Sequence, residues 1–162
     1  MVLIRLAAPG DLAAITAIVD AAYAVYIPRI GRKPAPMLDD HAALIGAGRV
    51  HVLATGDTIR GLATLLPEAD AMLIHNVAVA PFAQGRGYGG ELIAFAERAA
   101  RQAGYDRMDL YTNEAMAENI ALYRHLGYRE TRRAAESGFR RVYMSKRLTH
   151  SGQPGVTSTK PR

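Results

Sequence analysis

Residues 80–92 read APFAQGRGYGGEL, and how this stretch is understood decides the fold. A strand-like run, residues 71–79, leads into it. A helical run leaves it, with Leu92, Ile93, Phe95, Ala96 and Ala99 on one face and Gly104 as its stop. Glycines at 85, 87, 89 and 90 strip side chains from the turn between them. A strand passing through such a turn into a helix N-terminus leaves backbone N–H groups unpaired at the positive end of the helix dipole. That arrangement is an anion site, and phosphate is its default occupant. Glycine permits close approach of the backbone and supplies positive φ where the turn demands it.

Phosphate loops come in several kinds. A nucleoside-triphosphate loop ends in Gly-Lys-Ser/Thr, whereas Gly89-Gly90-Glu91 stand at that place here, with no lysine nearby. The dinucleotide spacing G-x-G-x-x-G is met by Gly85, Gly87 and Gly90. Too little chain follows to complete a doubly wound sheet, and Glu114, the one acid near the end of the next strand, lies 24 residues past Gly90. A dinucleotide-binding protein stands as an alternative.

The 162 residues suit one domain, and 49% hydrophobic content suffices for its core. With no cysteine, disulfides, thiolate metal sites and a cysteine nucleophile are excluded. The opening MVLIRLAAPGDL lacks the basic and apolar regions of an export signal, and no apolar run approaches the roughly 20 residues that span a bilayer. A cytoplasmic protein without a membrane partner is expected. The net charge of +5 is uneven: residues 1–127 carry eleven basic and thirteen acidic side chains, residues 128–162 nine and two. Arg132, Arg133, Arg140 and Arg141 flank a turn at Ser137-Gly138, where solvated hairpin ends and an anionic ligand both fit. Few aromatics lie between them to stack bases, so nucleic acid is not expected. The serines form no G-x-S-x-G and the histidines no H-E-x-x-H, so neither a covalent intermediate nor a metal is expected.

Elsewhere, residues 2–6 alternate as a strand, and Leu12, Ile15, Val19, Ala22, Tyr23 and Tyr26 recur at helical spacing after Asp11. Three prolines within residues 27–36 predict an irregular surface loop. A short helix follows from Asp39 or Asp40 to Gly48, then a hairpin of strands 49–54 and 59–66. A strand at 106–112, a helix at 118–126 closed by Gly127, and strands at 128–132 and 140–147 complete the pattern. One strand–helix–strand crossover among antiparallel neighbours makes the class α+β (mixed α/β). Residues 1–148 form the domain, and the polar residues 149–162 read as a disordered tail.

Residues 76–130, NVAVAPFAQGRGYGGELIAFAERAARQAGYDRMDLYTNEAMAENIALYRHLGYRE, resemble the GNAT superfamily of acyl-CoA-dependent N-acyltransferases. Gln84-x-x-Gly87-x-Gly89 is similar to that family's Q/R-x-x-G-x-G/A signature, and LYRHLGY, residues 122–128, to the end of its short helix. The likeness is strong over residues 60–147 and looser over the first 58. It implies a GNAT-like acyltransferase fold: a central mixed, mostly antiparallel sheet of about seven strands flanked by about four helices, with a splay between strands 4 and 5. It also implies one N-acetyltransferase domain over residues 1–148. The implied reaction is direct transfer from acetyl-CoA to a primary amine in a ternary complex, without metal; a non-catalytic acyl-CoA sensor is the alternative. Relatives of this size are often dimers, so the resemblance allows a homodimer without fixing the oligomeric state.

By the same resemblance, Gln84, Gly85, Arg86, Gly87, Tyr88, Gly89 and Gly90 hold the CoA pyrophosphate, and the main chain of Val77, Ala78 and Val79 meets the pantetheine arm and the acetyl carbonyl. Tyr123 matches the tyrosine that protonates the leaving sulfur, with Asn119 one turn earlier beside the cofactor. The family's commoner form has Asn seven before that tyrosine and Ala four before; Met116 and Asn119 occupy those places. For the base, Glu68, His75 and a water relay all remain open, and strand alternation sends His75 and Asn76 to opposite faces unless a bulge intervenes. The acceptor, a small-molecule or protein amine, is expected against Tyr26, Arg29, Met37 and Asn76, with Arg29 and Arg32 able to attract a carboxylate.

Overall fold

A computed structural model describes residues 1–149. Beyond Thr149, the tail expected from the sequence lies outside the described residues. The strands are β1 (Val2–Leu6), β2 (Val50–Thr55), β3 (Thr58–Pro67), β4 (Met72–Val79), β5 (Arg107–Asn113), β6 (Arg129–Glu136) and β7 (Phe139–Arg147). The helices are α1 (Leu12–Tyr23), α2 (Ile27–Ile30), α3 (His41–Gly46), α4 (Tyr88–Gln102) and α5 (Ala117–His125). The strands form one sheet in the order β1-β2-β3-β4-β5-β7-β6. Every neighbouring pair is antiparallel except β4 and β5, which α4 links as a parallel crossover. A single parallel pair does not make a doubly wound sheet, so the dinucleotide alternative loses its scaffold.

Alternation along the strands divides the core. Val50, Val52, Leu62 and Ala78 pack with Ile15, Val19 and Tyr23 of α1 and Ile45 of α3. Leu53 and Ala63 meet Leu92 of α4, while Ile74, Met108, Leu110, Val142 and Met144 meet Ile93, Ala96 and Ala100 of the same helix and Tyr123 of α5. Gly61 lets β3 and β4 lie close beneath α4. A Cβ there would stand 2.9 Å from the Ala78 carbonyl oxygen and 3.1 Å from Leu92 Cδ1.

The β4–β5 pair is short. It holds at Met72↔Met108, Leu73↔Asp109 and Ile74↔Leu110. Beyond Ile74, β4 continues to Val79 against β3 alone, and β5 to Asn113 against β7 alone, so the two strands splay. The divergence begins at a bulge: Leu65 pairs with Ile74 and Thr64 with Asn76, leaving His75 as the extra residue.

Two expectations need correction. The loop predicted over residues 27–36 contains α2 and, further on, a 3₁₀ turn at Ala35–Leu38. Pro28 sits in the first turn of α2, where its missing N–H would have had no partner, and Gly31 closes that helix at φ 83°. The second concerns apolar length: the helical stretch Pro9–Ile30 runs 22 residues with a mean hydropathy of 1.4 in its best window, enough by length and composition to cross a membrane. Within the fold, its central helix α1 turns Ile15, Ile18, Val19 and Tyr23 into the core.

Candidate active site

Two clefts open from the gap between β4 and β5 and meet inside it. The first, about 1250 Å³ with its open mouth, runs from the glycine turn along β4 to α5. The second, about 620 Å³, lies over β5 and β7 beneath Pro34, Ala35 and Pro36. Tyr23, Val77, Asn119 and Tyr123 border both clefts.

One wall of the first cleft is the glycine turn and the strand before it. Gly85 and Gly87 take φ values of 81° and 80°, and Gly87 is the residue from which α4 starts. The helix therefore begins three residues before the predicted residue 91, which puts Gly89 and Gly90 in its first turn. A Cβ on Gly90 would meet nothing within 4 Å, and Gly87, Gly89 and Gly90 border the cleft at the start of a 15-residue helix. Gln84 Nε2 donates to the Val79 carbonyl at 3.2 Å, tying the turn back to β4. Along β4 the Ala80 N–H donates to Arg60 at 2.8 Å, so alternation commits the polar groups of Ala78 to β3 and turns those of Val77 and Val79 to the gap. Ala78 borders the cleft with Val77 and Val79, its polar groups paired with β3. Arg29 Nη1 reaches both Glu118 oxygens, at 2.8 and 2.9 Å, across the mouth, with Tyr26 beneath its guanidinium. Hydrogen bonding to Glu118 raises Arg29, and burial raises the Tyr26 phenol. Arg86 borders neither cleft.

At the meeting point, burial pushes the Tyr123 phenol up to about 12. Asn119 Nδ2 faces the Met116 sulfur at 3.7 Å, which also receives Thr112 at 3.5 Å. The Tyr23 hydroxyl lies 2.7 Å from the Asn76 side-chain amide and 3.0 Å from the Val77 carbonyl. One proton cannot serve two acceptors. Turning the Asn76 amide over resolves this, with Nδ2 donating to the phenol and the phenol donating to Val77. Burial holds Tyr23 well above the ordinary phenol range, so it keeps that proton.

The second cleft is made of side chains brought from far apart. Because of the bulge, His75 and Asn76 both border it, rather than facing opposite sides. His75 Nε2 lies 2.8 Å from Asp39 Oδ2, and its Nδ1 is buried without a partner. Nε2 thus donates to the Asp39 carboxylate, which orients the ring. Tyr111, raised by burial, stands edge-on to His75 at 6.4 Å, and Arg141 lies over the same ring at 4.4 Å. Arg32, expected to face a substrate, instead stacks on Phe139 at 4.2 Å and joins the loop after α2 to the β6–β7 hairpin.

Two expected site residues lie elsewhere. Glu68 faces a different hollow with Arg107 and Asp109, and its carbonyl accepts from Tyr105 at 2.7 Å; as part of the turn before β4, it sits at the paired end of the strand, away from the splay. Met37 packs against the core beside α1. Residues the sequence did not single out include Asp39, Tyr111 and Phe139. Arg141 had been grouped with the other C-terminal arginines, and these prove to be paired with Glu114, Glu130 and Glu136.

The family model described as the acetyltransferase (GNAT) family matches residues 15–128. Mycothiol acetyltransferase from Beutenbergia cavernae is 35% identical over 79 residues, 49% of this chain but 27% of that protein. This chain therefore matches about a quarter of that curated relative's length. The fold is shared with the PaiA N-acetyltransferase of Thermoplasma acidophilum, solved with coenzyme A (TM-score 0.76, 14% identity, 91% of this chain and 99% of that one). It is shared also with YncA of Salmonella typhimurium, solved with acetyl-CoA (TM-score 0.72, 22% identity, 96% and 99%).

Proposed function

The chain belongs to the acetyltransferase (GNAT) family, and we propose that it transfers an acetyl group from acetyl-CoA to a primary amine by direct attack within a ternary complex. The observation that carries this reading is the meeting of two clefts at Val77, Asn119 and Tyr123, where the strands part. The glycine turn suits the donor: the glycines at the start of α4 border the cleft where a diphosphate would sit, and the gap-facing edges of Val77 and Val79 suit the amide groups of an extended arm. Acetyl-CoA supplies an activated thioester; the chain's residues manage protons and charge around it.

In the transfer a nitrogen–carbon bond forms and the carbon–sulfur bond breaks. His75, oriented by Asp39, receives the amine's proton through a bridging water, because its Nδ1 is shielded from direct contact. A backbone N–H on the gap side of β4 faces the charge developing on the acetyl oxygen and needs no reorganisation to do so. Tyr123 faces the departing sulfur. A phenol near 12 is a weaker acid than an alkyl thiol near about 8.5, so complete transfer is uphill by roughly 5 kcal/mol. Tyr123 therefore acts chiefly by donating a hydrogen bond as negative charge gathers on sulfur, and the thiolate draws its proton from solvent on release.

A screen of primary amines with acetyl-CoA, read by thiol release, tests the reading. Release with at least one amine is expected. Calorimetric binding of acetyl-CoA with silence toward every amine would make the protein a sensor instead.

A further inference from the structure

We infer that the acceptor is a free amino acid with an apolar side chain, its carboxylate gripped by Arg141; this rests on the acetyl-transfer reading above. Among the described residues, the wall of the second cleft has no Asp, Glu or Lys and a single Arg. Asp39, the nearby carboxylate, is turned into His75 at 2.8 Å. A polyamine entering this cleft would find no counter-charge and would face a guanidinium, at a cost in both desolvation and repulsion.

Arg141 is held as a recognition group is held. Its guanidinium lies over Tyr111, Nη1 donates backward to Glu136 at 3.2 Å, and its side chain is 18% exposed. Glu136 is itself fixed by the Tyr143 hydroxyl and Arg132. Glu136 and the Tyr143 hydroxyl hold one side of the fork, and its remaining N–H groups can meet the oxygens of a carboxylate. Tyr111 lies between this clamp and His75, its ring 4.4 Å from the Arg141 guanidinium and 6.4 Å, centre to centre, from the imidazole, so a ligand lying along that ring can meet Arg141 with its carboxylate while its amine lies on the His75 side. Pro34, Pro36, Ile74 and Phe139 then face the side chain, which favours an apolar one. With the carboxylate neutralised by Arg141, burial disfavours a second charge and keeps the amine neutral, as attack requires.

The test reads thiol release from acetyl-CoA with L-phenylalanine, L-leucine and L-methionine against their decarboxylated counterparts, and with spermidine. At least one amino acid should exceed its matched amine about tenfold or more in kcat/KM, with spermidine inert. In Arg141→Gln the amino-acid rate should fall about tenfold to a hundredfold while the matched amine stays within about threefold. Equal wild-type rates for amino acids and amines, preference for spermidine, or equal loss of both in the variant would overturn the assignment. Calorimetry of the three amino acids on CoA-loaded protein separates the two readings. Arg141-dependent binding without thiol release keeps the carboxylate clamp and sinks acetyl transfer; thiol release from plain amines alone keeps acetyl transfer and sinks the clamp. Neither binding nor release sinks both.

Discussion

On the donor side of the gap, one stretch of chain from Val77 to Ile93, rich in glycine, forms one wall, with residues of α1, the turn after it and α5 opposite. On the acceptor side, Pro34, His75, Tyr111 and Arg141 arrive from four separate parts of the chain and contribute side chains. The contrast has a mechanical corollary. A wall of main chain is spoiled by adding atoms, and a wall of side chains by removing them. It also fits a division of labour in which a constant diphosphate is met by constant geometry, while the acceptor is met by residues that can change one at a time.

The largest expected effect tests the first half of that contrast. Gly87→Val puts a β-branched residue at φ 80° and fills the turn, and acetyl-CoA affinity should fall on the order of a hundredfold by calorimetry. Gln84→Ala, which only removes atoms, should cost no more than about threefold. If both variants behaved alike, the donor wall would not be a main-chain device.

Tyr123 belongs to both walls, and Tyr123→Phe should lower kcat about tenfold to a hundredfold with acetyl-CoA affinity unchanged. Its titration gives a second handle. The folded-state value near 12 exceeds the ordinary 10, so burial of this phenol contributes stability that is fully present below pH 10 and lost as pH rises through 12. The loss amounts to at most about 3 kcal/mol, visible as a falling Tm that the Phe variant blunts. Over the same ground, no alkaline limb in kcat should arise from this group below about pH 10.

Gly61 lies under the strand that both clefts share. Gly61→Ala drives a methyl against the Ala78 carbonyl and should cost about 1–3 kcal/mol in thermal unfolding, without favouring one cleft over the other. The smallest effect is expected at the mouth. Arg29 and Glu118 are exposed partners, and Arg29→Ala should leave Tm unchanged and acetyl-CoA affinity within about threefold. A large loss there would mean that a side chain, after all, does part of the donor wall's work.

The same contrast explains what was legible in the sequence. The glycine turn announces itself because positive φ and close backbone approach restrict residue type over a few adjacent positions, and the strand–turn–helix around it followed directly. The acceptor wall leaves no such trace. Nothing near Asp39 signals that it will meet His75, 36 residues on, because their contact depends on how α1 lies across the sheet. In the sequence Arg141 is one of several arginines; that it, and not Arg132, Arg133 or Arg140, borders the second cleft follows from its register opposite Asn113 on β5. Glu68 is a related case: its place before β4 does not say which end of the strand parts from β5, and in the fold it lies at the paired end. The pairing of His75 with Asn76 turned on a bulge, which local propensity does not reveal.

β4 carries one residue more than its ladder needs. Deleting His75 would leave Ile74 opposite Leu65 and Asn76 opposite Thr64, a regular antiparallel pairing with nothing for folding to object to. Such a chain would lose its imidazole and the kink that turns β4 aside together. A single missing codon would yield a protein that folds at least as readily and has nowhere to bring two reactants face to face, which sets foldability and usefulness at odds at one position.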